Sequence, residues 1–183
     1  MQALKEEHGA LTWELVMGGL APDSSEPMPA ETRAYVQRAW DAVEQTCGVR
    51  FNRDFWERCE PRRSTYPACR AVIAAEKQCS GAGWEMYAAL QRAYYRQARN
   101  PSLVEVLVEV ASELPGLNPS TFGKDLASRG VQSELEAHLA RRLDLGVHSF
   151  PTLLLERQGH RSTLARGYAP LAEVRRRLVL ELG

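Results

Sequence analysis

The sequence predicts an α/β fold in which a small sheet frames a long, almost wholly helical stretch. Two observations predict it. The first is the run Gly146-Val147-His148-Ser149-Phe150-Pro151-Thr152-Leu153-Leu154-Leu155. A charged helical segment ends there at a glycine, a Phe-Pro step follows, and a short β-rich apolar run comes next. The second is the block from about residue 30 to 145. Its apolar residues recur at spacings of three and four between capping and breaking signals, the pattern of successive amphipathic helices.

Taken in order, Leu11-Thr12-Trp13-Glu14-Leu15-Val16-Met17 alternates apolar and polar, then turns apolar before Gly18-Gly19. This reads as a strand ending in a glycine turn. Residues 21–29 hold three prolines and read as a loop. Tyr35, Val36, Ala39, Trp40 and Val43 share one face of a helix from about Ala30 to Cys47, with Gly48 at the position of a C-terminal cap. Asn52 or Asp54 opens a short helix through Cys59, and Glu60-Pro61 ends it. A stronger helix starts at Ser64-Thr65, carries Pro67 in its first turn and runs to about Gln78 with a small-residue surface. Further helices follow over Trp84–Arg99, Leu103–Glu113, Asn118 to about Ser128, and Val131–Leu145.

Pro151 cannot donate to a sheet ladder, so it belongs at the first residue of a strand, and an X-Pro bond at a tight helix-to-strand junction is a candidate cis site. Arg157-Gln158-Gly159-His160 reads as a hairpin turn into a second strand, Ser162–Ala165. An amphipathic helix from about Pro170 to Leu182 closes the chain.

Composition narrows the function classes. Lys plus Arg equals Asp plus Glu at 23 each, so no general basic face points to nucleic acid. No apolar run approaches the roughly 20 residues of a membrane span. The first nine residues lack an apolar signal core, so the chain reads as soluble and cytoplasmic. Cys47, Cys59, Cys69 and Cys79 are expected to be reduced there. They stand ten or more residues apart with no histidine near any of them. Structural zinc sites usually pair ligands roughly two to four residues apart, so no metal is expected, and no cofactor. The cysteines read as small packed side chains. The aromatic positions Trp84, Tyr87, Tyr94 and Tyr95 read as core.

Three stretches carry a family resemblance. Leu15-Val16-Met17-Gly18-Gly19-Leu20 is similar to a core strand and turn, Ser64 to Val72 to the start of an inserted helix, and Val147-His148-Ser149-Phe150-Pro151-Thr152 to a cis-proline loop. Together they resemble the DsbA-like thioredoxin-fold family, in its cytosolic branch of predicted disulfide isomerases and FrnE-type proteins. The resemblance implies a thioredoxin-like sheet domain over residues 1–20 and 131–183, and an inserted helical domain over 21–130. It implies a thiol-disulfide oxidoreductase acting on protein or peptide thiols and disulfides.

Members of that family begin with a strand and a Cys-x-x-Cys at a helix N-terminus, where the dipole and free amides lower the thiol pKa. Here Gln2 to Glu7 matches the last turns of that helix, and no Cys-x-x-Cys occurs in the sequence. The chain is therefore expected to be catalytically incomplete, either as a shortened form or through loss of the motif. Absence of the central strand would leave Leu11–Met17 and Leu153–Leu155 with open edges, so they are expected either to pair directly or to be covered by a second copy in a homodimer.

By carry-over, Phe150, next to Pro151, offers its backbone to an extended substrate, with Ser149 and His148 flanking the site; no catalytic residue is assigned, and His148, tied to no serine or cysteine, reads as a solvated loop histidine. Pro151 equally reads as a residue that only shapes the sheet entrance. Cys69, early in a helix beside Arg70, is the one cysteine with a setting near that of a reactive thiol. Two other functions stay open. One is a glutathione-dependent isomerase or transferase of the kappa-like group. The other is a non-catalytic module binding a peptide or partner.

Overall fold

The computed structural model describes all 183 residues. Helix α1 (Gln2–Glu7) opens the chain. After the irregular segment 12–29 come α2 (Ala30–Cys47), α3 (Phe55–Arg58), α4 (Tyr66–Gln78), α5 (Ala82–Gln97), α6 (Val104–Ser112), α7 (Pro119–Leu126) and α8 (Arg129–Asp144). A hairpin of β1 (Thr152–Arg157) and β2 (His160–Arg166) and the helix α9 (Leu171–Leu182) complete it. This is the mixed α/β, thioredoxin-like architecture that the sequence predicts, with the helical block between the first residues and the hairpin.

The chain forms two compact units, one made of Met1–Gly18 with Ala140–Gly183 and the other of Gly19–Leu139. In the second unit, α4 buries Ala71, Val72, Ile73, Ala74 and Ala75 against the buried Ala82, Gly83, Met86, Ala89 and Ala93 of α5. Small side chains on both helices allow that close approach. Phe122 and Leu126 of α7 and Leu107 of α6 close this core. A cluster of aromatic side chains joins α2, α3 and α5. Trp40 lies within 4.9 to 6.0 Å, centroid to centroid, of Phe51, Phe55, Trp56, Tyr94 and Tyr95. Burial pushes the Tyr94 and Tyr95 phenols above their ordinary range, as expected of core tyrosines.

Local signals explain two of the helix ends. Gly48 takes a left-handed φ of 65° after α2. Asn118 caps α7 by accepting the Thr121 N–H at 2.9 Å, with Pro119 at the first helical position.

In the first unit, Leu4 of α1, Leu164 and Ala165 of β2, and Val174 and Leu178 of α9 form the buried core, with Leu11, Trp13, Leu153 and Leu155 packed against it. The hairpin loop is two residues long, and both Gln158 and Gly159 have positive φ (51° and 80°), the geometry of a type I′ turn.

The predicted strand Leu11–Met17 does not form. The only sheet is β1 paired with β2, and residues 12–20 enter no ladder. Direct pairing of that segment with Leu153–Leu155 is likewise not what the fold does. A strand exists only through its partner's hydrogen bonds, and alternation of side chains does not supply one. Side chains hold the segment instead: Leu11 and Trp13 pack on the core, and Arg141 grips the Glu14 carboxylate through two bonds of 2.8 Å.

Candidate functional site

The Phe150–Pro151 step is set by the end of α8. Gly146 takes a left-handed φ of 66°, and the Val147 N–H closes the turn onto the Arg142 carbonyl at 3.0 Å. The loop 147–151 then leads into β1 through a cis Phe150–Pro151 peptide bond. On the far side of the proline, the Gly167 N–H donates to the Pro151 carbonyl at 2.7 Å, and the Thr152 hydroxyl donates to the Ser149 carbonyl at 2.7 Å. These bonds fix Ser149 and Pro151 by their carbonyls. The N–H and carbonyl of Phe150 between them have no partner in the chain, and Phe150 is 37% exposed.

The Phe150 ring is seated on Gly18. A Cβ on Gly18 would lie 2.3 Å from the Phe150 Cε1, so only glycine leaves room for the ring. Arg142 completes the seat. Its guanidinium stands 5.9 Å from the ring centroid, and one of its amino groups donates to the Gly18 carbonyl at 3.3 Å. Its Nε is buried and has no hydrogen-bond partner. Sequence reasoning misses Glu14, Gly18, Arg141 and Arg142 as parts of the site. The signal they leave is a pair of adjacent arginines at the end of α8 and a glycine ending a segment 124 residues away.

Beside the loop lies a cavity of about 70 Å³, lined by Leu145 to Ser149, Thr152, Leu154, Thr163 and Arg166. His148 is exposed on its rim. No cluster of His, Cys, Asp or Glu side chains in the chain is arranged to hold a metal ion.

All four cysteines are free thiols. Cys69 sits in the first turns of α4. Burial pushes its thiol pKa up, more than the Gly19 N–H and the Arg70 charge pull it down. The thiolate, which is the nucleophile, is therefore disfavoured, and Arg70 is committed to Asp23 through bonds of 2.8 and 2.6 Å. Cys59 is likewise raised by burial, and its thiol donates to the Ala98 carbonyl at 3.2 Å. Neither has the electropositive helix-terminus setting of a redox-active cysteine.

A hairpin and terminal helix behind a cis-proline loop, with a helical block inserted upstream, define a thioredoxin-fold protein of the DsbA type. The thioredoxin family model matches residues 16–166, and the chain belongs to that family, within its DsbA-like group. Two solved proteins give the scale of the likeness. A predicted protein disulfide isomerase from Nitrosomonas europaea is 26% identical with a TM-score of 0.85, over 99% of this chain and 87% of that one. The cytosolic disulfide reductase DsbM from Pseudomonas aeruginosa is 26% identical with a TM-score of 0.78, over 99% of this chain and 89% of that one. Its structure with GSH matches at 25% identity and a TM-score of 0.76, with the same coverage. No curated protein matches the sequence.

Proposed function

We propose that this chain is a thiol-disulfide oxidoreductase-like protein that docks an extended peptide thiol or disulfide along Phe150. The observation that carries the reading is the unpartnered N–H and carbonyl of Phe150, held in the open between two anchored neighbours. A main chain in that state is ready to pair with a second extended strand, with Ser149 and Pro151 flanking the contact. Similarity to a disulfide reductase and a predicted disulfide isomerase supports the thiol chemistry. The likeness to a reductase with GSH favours glutathione as a small substrate of the same site. A cytoplasmic setting suits four unpaired cysteines and a cytosolic relative. No helix is long and apolar enough to cross a membrane.

Within these 183 residues no two cysteines stand in a Cys-x-x-Cys, and the two that burial perturbs are raised, so the chain by itself is expected not to reduce insulin. Docking is tested separately. A short cysteine-containing peptide is titrated into the labelled protein, alongside the same peptide with its backbone N-methylated at the cysteine. The reading expects the Phe150 amide resonance to move, and the N-methyl peptide to bind about tenfold more weakly, the scale of a main-chain hydrogen bond lost and left unsatisfied. Equal binding of both peptides, or an unmoved Phe150 amide, counts against it.

β1 pairs on one side only, so its other edge is available to a second copy. We propose a homodimer through that edge. Light scattering is expected to give twice the chain mass at micromolar concentration, and a monomeric mass at every concentration would remove the proposal.

A further inference from the structure

Two adjacent arginines at the end of α8 fasten a segment that no strand ladder holds. Arg141 grips Glu14 at one end through two bonds of 2.8 Å, and Arg142 reaches Gly18 at the other, donating to its carbonyl at 3.3 Å. Their settings differ. Arg141 is exposed and forms an ion pair. Arg142 is half-buried, its Nε has no partner, and its guanidinium lies over the Phe150 ring. A cation drawn partly out of water gives up hydration, and the negative face of the ring offsets part of that loss.

Arg142 also meets the proline loop at two points. Its main-chain carbonyl accepts the Val147 N–H at 3.0 Å where the loop starts, and its side chain meets the Phe150 ring near the loop's end. Gly18 closes another side of the ring, so closely that a Cβ there would lie 2.3 Å from Cε1. The ring is therefore held between a cation and a glycine main chain, and the Phe150 backbone is held through it. The bonds to the Ser149 and Pro151 carbonyls fix the neighbours of Phe150 but not its own N–H and carbonyl.

We infer that Arg142 is the positioning residue for docking: its charge keeps the Phe150 ring on Gly18, and the seated ring aims the free N–H and carbonyl of Phe150 at an incoming peptide. The inference rests on docking at Phe150 and names what orders that main chain before the peptide arrives. Arg142 acts through the ring and makes no contact with the peptide, so its effect is to lower the ordering cost of binding.

The test uses the full chain, the cysteine-containing peptide and its N-methyl analogue. Arg142→Met keeps an unbranched apolar stem and removes the charge, whereas Arg142→Lys keeps the charge. The ring-current shift of the Gly18 α-protons reports whether the ring is seated. In Arg142→Met that shift is expected to collapse, the peptide to bind about tenfold more weakly, and the preference over the N-methyl peptide to shrink to about twofold. Arg142→Lys is expected to keep the shift and to bind within about threefold of wild type. Both variants are expected to melt within about 4 °C of wild type, because the bond from Val147 to the Arg142 main-chain carbonyl is untouched. In a Phe150→Leu background, which has no ring to seat, Arg142→Met is expected to change affinity by less than about twofold.

The role is overturned if Arg142→Met binds the peptide as tightly as wild type, if its Gly18 shift is unchanged, or if Arg142→Lys is as weak as Arg142→Met. A further loss of about tenfold for Arg142→Met in Phe150→Leu would put the guanidinium on the peptide itself and also overturn it. So would a fall of more than about 10 °C in the melting temperature of Arg142→Met, which marks a structural residue. Docking and positioning fail separately. If the peptide moves the Phe150 amide in wild type and Arg142→Met with equal affinity, docking stands and the role of Arg142 fails. If the wild-type Phe150 amide stays still while the Gly18 shift follows the charge at residue 142, docking fails and the seating of the ring by Arg142 stands.

Discussion

Replacing Gly18 by alanine is expected to evict the Phe150 ring from its seat and to weaken peptide docking about tenfold, with little change in melting temperature. The added Cβ would fall 2.3 Å from Cε1 and 2.7 Å from Cδ1 and Cζ of the ring, where carbon contacts settle at about 3.5 to 4 Å. The ring must move, and since Phe150 is already 37% exposed it can swing into solvent at small cost to the fold. A gain of roughly 0.4 to 1 kcal/mol from the stiffer unfolded chain offsets part of that cost. What is lost is the fixed direction of the Phe150 main chain, because the contact with Arg142 goes with the ring. The peptide titration checks it. Unchanged affinity together with an unshifted Phe150 resonance would show that the seat does not hold the loop.

Truncating Trp40 to alanine is expected to cost about 3 to 5 kcal/mol. Trp40 is 4% exposed and in ring contact with Phe51, Phe55, Trp56, Tyr94 and Tyr95, which come from three separate parts of the chain. The cavity cannot be refilled by one neighbour without breaking the aromatic contacts of the others, each worth roughly 0.5 to 1.5 kcal/mol beyond burial. Urea unfolding followed by the fluorescence of the remaining tryptophans measures the loss. Tyr35→Ala on the same helix, 65% exposed, is the control and is expected to change stability by less than about 0.5 kcal/mol. A loss for Trp40→Ala as small as the control's would mean that the cluster is not a core.

Docking and stability thus rest on different residues. The loop variants should act on affinity and the aromatic variants on stability, and the two readouts can be taken on the same proteins.

Features encoded within a few residues are legible in the residue order alone. Gly48 and Gly146 end helices because they accept a left-handed φ, Asn118-Pro119 starts one by cap and fixed φ, and Gln158-Gly159 turns the hairpin with two positive φ values. Each is a local steric or hydrogen-bonding preference, so the helical block, the hairpin and the last helix can be placed without coordinates. The family follows from that order. Other features depend on packing. Leu11–Met17 has the alternation of a strand and no ladder, because pairing is a property of two segments and no second segment bonds to this one. The seat of Phe150 joins Gly18 to Arg142 across 124 residues, and the small cavity beside the loop brings Arg166 to the same lining as His148 through the hairpin's register. Juxtapositions of that kind arise after the chain has closed on itself, and no short-range pattern records them.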